Sequence, residues 1–185
     1  MELFDIVDEQ GRPTGDTVER SLAHARGIRH RTAHIWIIKD NQVLLQKRSL
    51  NKDSYPGEYD TSSAGHVTAA DDVIDSALRE LEEELGIKAA KDDLHYIGQF
   101  HIQYEEIFHD ELFKDNEVVF LYIYNQDVNI DDLTLQKEEI ESVAWFDFDD
   151  VKKAVDDGTR LINGCRICVP SGGLQLIEQF IHKID

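Results

Sequence analysis

The stretch that most constrains this chain runs from Gly65 to Ile87, GHVTAADDVIDSALRELEEELGI. Residues Val73 to Leu85 carry the period of an amphipathic helix. At about 100° per residue, Ile74, Ala77, Leu78, Leu81 and Leu85 form one apolar stripe able to face a core. Asp71 or Asp72 is placed to serve as N-cap, and Gly86 stands where a C′ glycine ends a helix. Glu80, Glu83 and Glu84 are expected together on the face away from the stripe, with Glu82 pointing elsewhere. Carboxylates at i, i+3 and i+4 repel one another, at roughly 0.2–0.5 kcal/mol per neighbouring pair. A bound cation reverses the sign, and hard oxygen ligands of this kind suit Mg²⁺ or Mn²⁺. Read from helix pattern alone, the same residues also describe an ordinary solvated acidic face.

The whole string resembles the Nudix box, G-x5-E-x7-R-E-U-x-E-E-x-G-U with U apolar. Gly65 fills the first glycine, Arg79 and Glu80 the RE pair, Leu81 the apolar site, Glu83 and Glu84 the EE pair, and Gly86 with Ile87 the end. Asp71 stands where the box has its first Glu. The resemblance implies an α/β fold, a layered α/β/α sandwich with a mixed sheet, over most of the chain. It also implies attack of water on a diphosphate in a small nucleoside di- or triphosphate derivative. Glu80, Glu83 and Glu84 would then hold the divalent ions, Arg79 would fix a carboxylate rotamer, and Gly65 would allow close backbone approach. Helix carboxylates saturated by metal make poor proton acceptors, so the candidate general bases lie outside the box: Glu117 first, then Glu138 and Glu139.

The chain is expected to form one domain over residues 1–185, with an N-terminal hairpin over about residues 1–28. Composition, at 41% hydrophobic and 31% charged, is that of a globular protein. A formal charge of −19 argues against nucleic acid as a partner. It leaves room for a small diphosphate-containing substrate screened by metal ions and local bases. The two cysteines, Cys165 and Cys168, lack the context of a redox pair or a zinc site and read as partly buried free thiols. Low cysteine use, no signal peptide and no apolar run near about 18 residues point to a cytoplasmic location without a membrane anchor.

In chain order, residues 3–8 and 14–18 form the expected hairpin, and residues 19–25 a short helix ended by Gly27. Strands follow at residues 30–38 and 43–48, joined by an Asp40-Asn41 turn. Residues 49–63 are expected as a loop, 94–104 and 117–124 as strands, and the acidic segment 105–116 as a loop between them. A strand at 142–148, a helix at 149–156 and an amphipathic helix at 172–184 complete the α/β pattern. Lys47, Arg48 and Lys52, and the Arg29-His30-Arg31 cluster, are candidate phosphate contacts. Specificity is expected in the loops 49–63, 105–116 and 158–173, with Tyr55, Tyr59, Tyr104 and Phe108 as candidate stacking aromatics. The hairpin and the acidic loop are surfaces able to serve a homodimer, though nothing requires one.

A finer resemblance is to the Nudix subgroup related to isopentenyl-diphosphate isomerase. It rests on His24, His30-Arg31, Leu44 to Arg48, Lys52-Asp53, Pro56-Gly57 and Ser63 to His66. That resemblance implies a second metal site from His24, His30, His66 and the Asp115-Asn116-Glu117 segment. The isomerases place a catalytic cysteine before the Gly-His that opens the box, where this chain has Ala64, and their box is degenerate. Hydrolysis is therefore the expected chemistry, with isomerisation and a catalytically silent nucleotide-binding domain as the alternatives.

Overall fold

The computed structural model describes residues 2–184. Strands β1 (Leu3–Val7) and β2 (Pro13–Glu19) pair as the N-terminal hairpin, and helix α1 (Arg20–Arg26) ends at Gly27. Then come β3 (His30–Lys39), β4 (Gln42–Arg48), β5 (Tyr59–Asp60), β6 (Ser63–His66) and helix α2 (Val73–Leu85). The long strands β7 (Leu94–Phe108) and β8 (Glu111–Tyr124) follow, then β9 (Ile140–Asp147) and α3 (Phe148–Asp156). A short hairpin of β10 (Leu161–Ile162) and β11 (Cys165–Arg166) precedes α4 (Leu174–Ile184).

The central sheet is mixed. Its order is β5-β4-β3-β8-β7, with β6 also on β3 and β9 also on β4. Only the β3–β8 pair among these is parallel, and it sets His30 opposite Glu117. Side chains alternate across the pleat. Ala33, Ile35 and Ile37 of β3 therefore meet Leu81 and Leu85 of α2, while Trp36 and Ile38 meet Val151 of α3 and Ile177 of α4. Helices on both faces of a sheet give the expected α/β/α sandwich.

Several local expectations change, and strand β5 lies within the segment 49–63 expected as a loop. Residues 105–116 are not a loop: β7 and β8 continue through them in register to Phe108 and Glu111. His109 and Asp110 make the two-residue turn at φ of 51° and 65°, a conformation these residue types tolerate better than most. A cross-strand Lys114–Glu105 ion pair at 3.2 Å shows that the charges are the outward side of a ribbon. Asp72 occupies the N-cap of α2 but makes no side-chain capping hydrogen bond. Glu84 is also not on a solvated face, being only 4% exposed, because β6 covers that side of the helix. Strand β9 and helices α3 and α4 shift by one or two residues from their expected ends.

Candidate active site

One cavity of about 780 Å³ opens between the C-terminal part of α2, the β3–β8 region and residues 166–172. Glu80, Glu83 and Glu84 line one wall, together with Arg79. Glu84 accepts hydrogen bonds from the Ala64 backbone N–H at 3.1 Å and from Gln46 Nε2 at 3.2 Å. Burial pushes its carboxyl up to about 7, with Glu80 adding to the rise. Burial likewise raises Glu80 to about 7, against the pull of Arg79. Arg79 Nη1 lies 3.0 Å from Glu80 and 3.6 Å from Glu83. Gly65 lets Glu80 lie flat on β6, since a Cβ there would meet Glu80 Cδ at 2.1 Å. Asp71, in the place of the first box Glu, is exposed and does not line the cavity.

Facing this wall is a buried cluster assembled from four elements. His24 comes from α1, His30 from β3, His66 from β6, and Asp115 and Glu117 from β8. Among the described residues, His24–His30–His66 and His30–Asp115–Glu117 are the groups whose donor atoms all lie within 4.8 Å of one another. Glu117 Oε1 stands 3.7 Å from Nε2 of both His30 and His66, and Thr32 donates its hydroxyl to Oε2 at 3.0 Å. His30 Nδ1 is 2.8 Å from the Ile28 carbonyl, which places a ring proton there, and although burial opposes it, Glu117 beside Nε2 raises the affinity of the ring for a second proton. Both nitrogens of His24 and the Nε2 atoms of His30 and His66 are buried without a hydrogen-bond partner.

Aromatic rings fix these imidazoles in place. Phe4, fully buried, stacks on His30 at 4.8 Å and on His66 at 4.6 Å, and Phe113 stacks on His24 at 4.4 Å. Burial, helped by the neighbouring His30, lowers His24 to about 4, and burial drives His66 well below its usual range. Glu117 behaves oppositely: burial alone would raise it, but the neighbouring His30 holds it down as a carboxylate. Asp115 is pushed up by burial and by the Glu117 charge.

The other sequence candidates divide. Arg48 and Lys52 line the cavity, whereas Lys47 does not and pairs with Glu141 at 3.1 Å. Arg29 and Arg31 also lie off the cavity, bonded to Asn116 at 3.3 Å and Asp5 at 2.8 Å. Glu139 lines the cavity and pairs with Lys52, while Glu138 does not line it. Tyr55 and Tyr104 line it; Tyr59 and Phe108 do not. Both cysteines are free thiols, and Cys168 lines the cavity with Sγ 3.5 Å from the Tyr59 carbonyl. Three lining arginines, Arg20, Arg160 and Arg166, carried no local signal in the sequence.

The family model of the NUDIX domain matches residues 28–163. The chain belongs to the Nudix hydrolase family. It is 40% identical over 155 residues to Nudix hydrolase 3 of Arabidopsis thaliana, a match covering 82% of this chain but only 20% of that much longer protein. An uncharacterized Nudix hydrolase of Clostridium acetobutylicum is 34% identical over 160 residues, covering 84% of this chain and 75% of that one. A solved structure of the Deinococcus radiodurans protein DR0079 superposes with a TM-score of 0.66 at 14% identity, covering 98% of each chain, which shows the shared fold. Nudix hydrolases act on small diphosphate-containing compounds and generally use divalent metals. No helix among the described residues is long and apolar enough to cross a membrane.

Proposed function

We propose that the cavity hydrolyses a diphosphate bond in a small nucleoside di- or triphosphate derivative, with Mg²⁺ or Mn²⁺ on Glu80, Glu83 and Glu84. The observation that carries this reading is the wall itself. Two of its carboxyls are buried beside one another with raised proton affinity, and only a cation makes their joint ionisation favourable. The residues therefore fit a hard divalent ion. Such ions, when bound, neutralise the substrate's phosphates and favour ionisation of water. Arg79 holds Glu80 and Glu83 in place, and Lys52 and Arg20 present cations to the anionic substrate.

The orphaned nitrogens of His24, His30 and His66 with Asp115 and Glu117 fit a second divalent ion. In this reading Glu117 acts as a ligand there. Its two oxygens already face Thr32 and two histidines, which leaves little room for the proton-accepting role expected of it. Glu139, on the cavity wall outside the box, is then the acceptor for the water's proton. The same histidine cluster is the observation that favours isomerisation of isopentenyl diphosphate as a second reading. Ala64, lining the cavity where those enzymes have cysteine, supplies no acid, base or nucleophile.

The test is turnover of nucleoside triphosphates, nucleotide sugars, dinucleotides and isopentenyl diphosphate, with and without Mg²⁺, for the wild type and Glu83→Gln. Hydrolysis that requires metal and disappears in Glu83→Gln is the expected result. Conversion of isopentenyl diphosphate to its isomer without any hydrolysis would establish the second reading. Nucleotide binding without turnover of any compound would make this a binding domain.

A further inference from the structure

Strand β3 sends His30, Thr32, His34 and Trp36 to one face of the sheet, and three of these have an evident task. His30 and Thr32 contact Glu117, and Trp36 packs in the core beneath α3 and α4. His34 lies between them, at the inner end of the cavity where the core begins. It is 7% exposed and lines the cavity, yet its Nδ1 is buried without a hydrogen-bond partner. It belongs to neither group of converging metal donors.

Buried polar atoms are nearly always paired, and one left unpaired costs stability. The orphaned nitrogens of His24, His30 and His66 are explained by a metal centre. That of His34 is not. Its surroundings are polar on the cavity side: the Arg48–Asp60 ion pair, at 3.0 Å, lines the same cavity, while Phe100, outside the lining, meets the imidazole edge-on at 6.1 Å. A hydrocarbon chain entering here would seal the imidazole away without a partner. A group bearing a hydroxyl or a ring heteroatom would supply the missing bond.

We infer that His34 is a specificity-determining residue, which hydrogen-bonds the organic part of the substrate and selects diphosphates with a sugar or nucleoside group over those with a hydrocarbon chain. The inference rests on the diphosphate reading above and adds the residue that recognises the organic group. It needs no contact between His34 and the reacting phosphates. Because the orphan is unsatisfied only while the cavity is empty of ligand, His34→Leu should gain thermal stability in the free protein as it loses selectivity.

The experiment measures equilibrium binding of four probes, with Ca²⁺ replacing Mg²⁺ to slow turnover. They are inorganic diphosphate, isopentenyl diphosphate, ADP and phosphoribosyl diphosphate, tested against the wild type, His34→Leu and His34→Asn. In the wild type at least one of the last two binds more tightly than either of the first two, and which one does so tells nucleoside from sugar. His34→Leu removes about tenfold of that preference and leaves inorganic diphosphate unchanged. His34→Asn, which keeps a donor and an acceptor near the Nδ1 position, restores it. Equal binding of polar and hydrocarbon probes, or equal weakening of all four in His34→Leu, overturns the inference while leaving the diphosphate reading intact. Failure of the wild type to bind even inorganic diphosphate removes both.

Discussion

The cavity has two charged walls built in opposite ways. The carboxylate wall comes from a single helix turn, graded from the buried Glu84 to the half-exposed Glu83, whose side chain is 52% accessible. The histidine wall comes from α1, β3, β6 and β8, and every member is largely buried. Its imidazoles are held by ring stacking on Phe4 and Phe113 more than by hydrogen bonds. One wall is an excess of anions that wants a cation or a proton. The other gathers imidazoles around the Glu117 carboxylate, where burial turns His24 and His66 away from a proton while Glu117 draws one to His30. A small helix motif can create the first by local spacing alone, whereas the second exists only once the sheet has closed.

The most severe way to break the comparison is Glu84→Gln. The amide keeps shape but removes the buried charge, so turnover should fall by about 10²–10³-fold, the scale of losing one oriented electrostatic group. Metal-free stability should hold or rise, because repulsion with Glu80 is gone. Steady-state kinetics and urea unfolding check the two halves, and a stability loss matching the activity loss would make Glu84 merely structural. Glu117→Gln acts on the other wall, where binding of Co²⁺, followed by its absorption spectrum, should weaken by about 10–100-fold. If Glu117→Gln leaves Co²⁺ binding untouched but abolishes turnover, Glu117 is a proton acceptor after all.

That asymmetry also decides what the sequence could show. Glu80, Glu83, Glu84 and Arg79 lie within one helix, where a fixed angular step relates position to face. Even so, a helical wheel gives direction and not neighbours, so it could not say that β6 would cover Glu84. The histidine wall has no local signature. His30 and Glu117 are brought together by the parallel β3–β8 register, and only resemblance to a known family placed them in one site. The β7–β8 ribbon was hidden for a related reason: its outward positions carry so many charges that strand alternation reads as a polar loop. His34, inside a dense apolar strand, gave no sign at all. The fold class followed from alternating patterns summed over long segments, which tolerate such errors at the ends.

The smallest effect, and the one that compares the walls most directly, is on pH. In the metal-free protein Glu84 titrates near about 7 rather than in the usual carboxyl range near 4.5. The native state therefore binds more protons there than the unfolded chain across that window, so this group adds stability as pH falls from about 7 to 4.5. His24 has the opposite sign. Its folded value of about 4 lies below the ordinary 6.5, so the unfolded chain takes the extra proton and stability drains away as pH falls from 6.5 towards 4. The two trends overlap and offset each other in the wild type. Difference curves against Glu84→Gln and His24→Gln, from urea unfolding in chelator, separate them, each with a slope of at most about 1.4 kcal/mol per pH unit. Acidification should shift the stability difference from Glu84→Gln in the wild type's favour and the difference from His24→Gln against it. Parallel curves for all three proteins would mean that neither wall differs from water as a place for a proton, and the contrast between them would fall.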